Sequence, residues 1–349
     1  MSTGYRAVQW NRQKIVYDAA MLAGVALYIA AFVLIGRYAL SEANDPAEWD
    51  DLFIRAVGSC AFLLLTVILS IGPLARLDPR FLVLLYNRRH LGVTMFTTGA
   101  IHASLIVTWF WSRDGLADLG HEFTNWPKYR LFIGFPFETL GLTALTILFL
   151  MAITSHDFWL RFLSPPFWKA LHMAVYLAYG LLVLHIALGA MQNHRSPLIP
   201  ILLGGAFLWV SALHLIAGRR ERALDRGAEL GEDGWLVVGP PASIADGRAK
   251  IVAAPNGERI AIYRDGATLG ALTNLCAHQN GPLGEGRIID GCVTCPWHGY
   301  QYRLEDGCAP PPFTEKLATY RLRLSRGIIE VNPRPLAPGT PAALICPSI

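Results

Sequence analysis

Apolar positions are spread unevenly along the chain. Up to residue 217 they form long runs separated by short polar stretches. Six of these runs, 17–39, 52–74, 90–111, 134–154, 168–190 and 197–217, approach the ~20 residues a helix needs to cross a bilayer core. Beyond them the period changes. The stretches "WLVVGPP", "KIVAAPNGERIAIYRDG" and "YRLRLSRGIIEV" are short strand-like runs bounded by Gly, Pro and Asp. The expected fold is therefore multi-domain: a six-helix transmembrane bundle, all-α, followed by an all-β domain. The expected boundaries are a polar, basic segment at 1–16, the helices at 17–217, a charged connector at 218–232, the β domain at 233–334 and a Pro-rich, extended tail at 335–349. A flexible connector of that length reaches roughly 20 Å, which holds the β domain near the membrane face. No cleavage site of small residues follows the first apolar run, so it reads as an anchor that is kept.

Composition agrees with this division. The chain is 53% hydrophobic and 16% charged, against the ~25% charged residues of ordinary soluble proteins. The net charge of +4 comes from Arg clustered beside apolar runs, which fits membrane topology and excludes a nucleic-acid role. Alternate loops carry thirteen Lys/Arg on one side and four on the other, so both termini and the β domain are expected in the cytoplasm. Trp109, Trp111 and Trp126 then suit the outer interface, and Trp159 and Trp168 the inner one.

The β part carries a distinctive ligand set: Cys276-Ala-His278, a spacer, then Cys295-Pro-Trp-His298-Gly. Two thiolates and two imidazoles on two short loops are the ligands of a Rieske 2Fe-2S centre, with the two His on one iron. Cys2His2 also suits zinc, but the ligand order differs from that of the usual finger. The run from Trp235 to Val331 resembles the Rieske ferredoxin family, in "IAIYRDG", "NLCAHQNGPLGEG" and "CPWHGYQY". Rieske proteins of quinol-oxidising complexes tie their two loops with a disulfide. The equivalent positions here are Gly281 and Trp297, so the resemblance implies a ferredoxin-type centre, low in potential, in a reducing compartment. Cys292 and Cys308 read as packed thiols, and Cys60 and Cys346 suggest no chemistry. Trp297, Tyr300 and Tyr302 read first as β-core residues, with shielding of the cluster as the alternative.

Intramembrane histidines are costly and point to function. His90, His102, His172, His185 and His214 lie in or beside apolar runs, whereas His121, His156 and His194 fall in loops. In an electron-transfer chain their natural ligand is haem b, one or two per chain. His172 and His185 are thirteen residues apart, roughly 20 Å along one helix, and so belong to different depths. His102 can meet His185 across an outer haem. His172 is left for an inner haem, with His90 or His214 as candidate partner and Arg88 or Arg89 beside a propionate. Glu138 stands between a proton or quinone path and a structural pairing.

"IGPLARL", "NRRHLGVTMFTTGAIHASLIV", "MAITS" and "FWKALHMAVYLAYGLLVLHIALG" resemble the ferric-reductase-like transmembrane family, most nearly its haem-binding subunits of the MsrQ/YedZ type. The resemblance places His102, His172 and His185 on haem-ligand positions. It departs at Arg88, where the wider superfamily has a His fourteen residues before His102. It also implies a bacterial inner-membrane location and transmembrane electron transfer. The donor would be a cytosolic flavin reductase or ferredoxin, since no Gly-rich dinucleotide fingerprint is present. The acceptor would be periplasmic or in the membrane: a methionine sulfoxide reductase, ferric iron or oxygen. Two alternatives stand beside this: a donor that oxidises quinol and passes electrons to a cytosolic oxygenase or reductase, and a membrane redox sensor. No catalytic residue is assigned.

Overall fold

The computed structural model describes residues 12–40, 48–85, 88–113, 116–130, 135–155, 159, 162–193, 198–226, 229–231, 233–297 and 299–346. These fall into two compact units, one within 10–70 and 87–212, the other within 71–86 and 213–349.

The first unit is helical. Its elements are α1 (Arg12–Ile35), α2 (Trp49–Leu77, up to Ser70), α3 (Arg88–Arg113), α4 (Leu116–Thr124), α5 (Glu138–Thr154), α6 (Pro165–Met173), α7 (Val175–Asn193) and α8 (Leu198–Arg226, up to Ala212). Among the described residues, five helical stretches are long and apolar enough to cross a membrane, and α5 is a shorter apolar helix of 17 residues. At 1.5 Å per residue α5 reaches about 25 Å, slightly less than a hydrocarbon core. The expected fifth helix is interrupted at Ala174, so His172 lies in the last turn of α6 and His185 in α7. The prolines at the start of α6 are tolerated there because the first helical N–H groups need no intrahelical acceptor.

The bundle centre is built from Phe62, Leu65 and Leu69 of α2, Met95 of α3, Ala144 and Leu148 of α5, Ala178 and Tyr179 of α7, and Leu203 and Val210 of α8. Tyr179 stacks on Phe62 with ring centroids 5.4 Å apart. The opposite helix faces leave large apolar side chains uncovered, such as Leu27 and Leu202, as expected where the surrounding solvent is lipid.

The second unit holds the β domain. Among the described residues, nine short strands form three antiparallel sheets: β1 (Leu236–Gly239), β9 (Ile328–Val331) and β8 (Leu322–Ser325); β2 (Ala249–Ala253), β3 (Arg259–Asp265) and β4 (Thr268–Thr273); β5 (Arg287–Ile289), β6 (Cys292–Thr294) and β7 (Gln301–Arg303). Alternating residues of the first two sheets, among them Leu236, Ile260, Ile262, Leu322 and Ile329, close one core. A second core surrounds Cys276 and Cys295. The tail is held down by backbone hydrogen bonds, including Ala342 N–H to Glu305 O and a reciprocal pair between Ile345 and Leu269.

The charged connector takes a different form from the expected one. Helix α8 continues through its first half to Arg226. Arg, Glu, Ala and Leu in "RRERAL" are strong helix formers, so the helix outlasts the apolar run.

Candidate functional site

Two short loops converge in the β domain. The first, between β4 and β5, carries Cys276; the second, between β6 and β7, carries Cys295. Each is pinned as a tight turn. Cys276 N–H donates to Gly281 O and Asn280 N–H to Cys276 O, while Cys295 N–H donates to Tyr300 O and Gly299 N–H to Cys295 O. Gly299 has φ +72°, a conformation that side-chain-bearing residues rarely adopt. Both cysteines are 1% exposed.

The surroundings of the thiols suit a thiolate-ligated cluster. Tyr302 Oη lies 3.3 Å from Cys276 Sγ. Burial opposes ionisation of Cys276, yet hydrogen bonds from Cys295, Tyr302 and the N–H groups of His278 and Gln279 hold its thiol below the ordinary range. Burial and the two nearby sulfurs push Tyr302 far up, so its hydroxyl stays protonated and remains a donor. His278 stacks on Tyr300 at 4.1 Å and 11°, and Tyr300 leans on Phe313. His298 lies outside the described residues. The cysteines are free thiols. At Gly281 an added Cβ would lie 2.8 Å from Cys295 Sγ and 3.2 Å from the Trp297 ring, so no side chain fits there.

The helical unit brings a second set together. His102 Nδ1 is 3.0 Å from Ile54 O, and His185 Nδ1 is 2.8 Å from Phe137 O. A carbonyl can only accept, so each Nδ1 carries the proton and each Nε2 keeps its lone pair, as an iron-ligating imidazole requires. Both rings are set by glycines. A Cβ at Gly58 would lie 2.8 Å from the His102 ring, and one at Gly141 would lie 2.9 Å from the His185 ring. These donors fit haem.

His172 is held differently. Its Nδ1 faces Trp168 O at 3.0 Å, its Nε2 faces Ser155 Oγ at 3.2 Å, and its ring stacks on Trp168 at 3.8 Å. Arg88 opens α3. His90 Nδ1 sits 2.8 and 2.9 Å from the two carboxylate oxygens of Asp18 on α1. His214, half-buried on α8, belongs to the other unit. Glu138 opens α5, where a negative charge complements the helix dipole.

Several of these partners were not singled out by sequence reasoning. Asp18 carried a signal, an acid at the edge of an apolar run. Gly58, Gly141 and Ser155 carried none. Tyr300 and Tyr302, read first as core residues, touch the proposed ligands His278 and Cys276 directly.

Comparison with known proteins also separates the helical part from the β part. The family model for the ferric reductase like transmembrane component matches residues 55–183, and that for the Rieske [2Fe-2S] domain matches residues 234–321. Over 174 residues the chain is 32% identical to a protein-methionine-sulfoxide reductase heme-binding subunit MsrQ of Caulobacter vibrioides, covering 49% of this chain and 74% of that one. A second MsrQ, from Herminiimonas arsenicoxydans, is 31% identical, covering 46% of this chain and 69% of that one. Over 76 residues it is 41% identical to the anthranilate 1,2-dioxygenase ferredoxin subunit of Burkholderia cepacia, covering 21% of this chain and 68% of the subunit.

Proposed function

Because this chain belongs to the ferric-reductase-like transmembrane family through its helices and to the Rieske [2Fe-2S] family through its β domain, we propose that it conducts electrons from a cytoplasmic donor to an acceptor outside. It is a transmembrane electron-transfer component with a Rieske 2Fe-2S cluster and haem as cofactors. When bound, these groups supply one-electron redox chemistry; the chain supplies ligands, separation and dielectric. Cys276, His278, Cys295 and His298 hold the cluster, His102 and His185 hold one haem, and His172 belongs to a second, its Nε2 exchanging the Ser155 hydroxyl for iron. The observation that carries this reading is the pair of imidazoles, each with Nδ1 on a backbone carbonyl and Nε2 left for iron, in the same chain as the buried thiol pair.

The loop charges and the relatives support this direction. The basic loops favour a cytoplasmic β domain in a bacterial inner membrane. A flavin reductase or ferredoxin then loads the cluster, and the acceptor is a periplasmic reductase of the methionine sulfoxide type, as the names of the relatives suggest. Sealed vesicles with the β domain outward test this. Reduced ferredoxin added outside should reduce an impermeant acceptor trapped inside; no reduction of that acceptor contradicts the direction.

A second reading has one observation in its favour. The Asp18–His90 carboxylate–imidazole pair between α1 and α3 can take up a proton from a quinol, which would send electrons toward the β domain instead. Under that reading, haem reduction by a quinol analogue is lost in Asp18→Asn.

A further inference from the structure

Three links close a triangle within the second unit, at the ends of α2 and α8. Arg220 of α8 donates to the backbone carbonyl of Leu77, the last residue of α2, at 2.7 Å. Arg76, one residue earlier, places Nε 3.1 Å from Glu285 Oε1 of the β domain. Glu221, beside Arg220, pairs with Arg259 at the start of β3. A single exposed pair of this kind contributes little. Here the carboxylates are mostly covered, 13% exposed for the Glu285 side chain and 22% for Glu221, and the set is closed.

The two β-domain anchors lead to the cluster loop through one residue. Asn274 stands two positions before Cys276 and is 3% exposed. Its N–H donates to Arg259 O at 2.9 Å, its carbonyl accepts from Leu283 N–H at 2.9 Å, and its Oδ1 accepts from Gly284 N–H at 2.7 Å. Leu283 and Gly284 belong to the turn that ends at Glu285. Arg259 and Glu285 are therefore bonded, through Asn274, to the strand end that presents Cys276. The helical start of the connector adds stiffness on the other side, since Arg220 and Glu221 lie on α8 itself.

We propose that the Rieske domain works from a fixed dock on the helix ends, with Arg76, Arg220, Glu221, Arg259 and Glu285 as positioning residues. Resting on the electron-transfer reading above, this means that each one-electron oxidation of the cluster is matched by a one-electron reduction on the haem side without a swing of the domain. The cluster is loaded by the cytosolic donor in the same docked position.

The test uses the full, cofactor-loaded chain in nanodiscs. Nitroxides are placed on Arg80→Cys and Ser325→Cys in a Cys346→Ser background, and their separation is read by pulsed EPR. The parent gives one narrow distance. Arg76→Glu or Glu221→Arg broadens it, and the swaps R76E/E285R and E221R/R259E restore it. In parallel, the rate at which haem is reduced from the cluster falls by about tenfold or more in the single reversals and recovers in the swaps. A broad distance in the parent, or a distance that neither single reversal changes, overturns the dock. If the distances behave as expected but no electron reaches haem in the parent, the electron-transfer reading fails while the dock stands.

Discussion

The hydroxyl of Tyr302 is 3.3 Å from the sulfur of Cys276, inside a core where both residues are 0–1% exposed. A donor aimed at a ligand sulfur stabilises the extra negative charge of a reduced cluster and so raises its potential. A neutral hydrogen bond of about 1 kcal/mol corresponds to roughly 40 mV for a one-electron couple. Tyr302→Phe should therefore lower the midpoint potential by about 20–60 mV with the Rieske EPR signal retained. An unchanged potential removes the hydrogen bond from the account. The same contact qualifies the low potential that ferredoxin resemblance implies.

Gly58 and Gly141 give the histidine rings their space. Gly141→Leu would drive a side chain into the position of the His185 ring, and Gly58→Leu would do the same at His102. Each variant should lose the outer haem, seen as a fall in the b-type band per chain, while Gly180→Leu, where nothing lies within 4 Å, keeps it. Equal haem content in all three variants contradicts the assignment.

His172 and His185 should separate in a haem count. His185→Ala removes the haem shared with His102, and His172→Ala removes the other. A pyridine haemochrome assay giving one haem per parent chain would leave no inner site for His172 to serve.

Asp306 offers a pH test outside the membrane. Burial works against its charge, but the Arg303 guanidinium and the Cys308 N–H hold its carboxyl below the usual range. A depressed carboxylate stabilises the fold above its unfolded pKa, about 3.9, and that contribution is lost as pH falls through the lower folded value. Acid unfolding of the β domain should therefore steepen below about pH 4, and Asp306→Asn should flatten that limb. An identical acid limb in the variant contradicts the role.

The architecture was legible because its two periods differ. Runs of about twenty apolar residues mark helices that must satisfy their backbone inside lipid, and short alternating runs mark strands. The cluster motif was legible because its ligands sit close together in sequence. The histidine partners were not. Ile54 and Phe137 act through backbone carbonyls, which no side-chain pattern encodes, and Gly58 and Gly141 act by what they lack. The reach of α8 to Arg226 was missed because the connector was judged by its charge, while its residues favour helix.

The central claim is that one chain passes electrons between a Rieske domain and membrane haem. It is tested most directly by stopped-flow optical spectroscopy of the membrane-embedded protein, with the β domain reduced by a cytosolic reductase and the b-haem bands followed in time. The account predicts rapid haem reduction in the parent and its loss in His278→Ala, with haem content unchanged. Haem reduction at the parent rate in His278→Ala would contradict it.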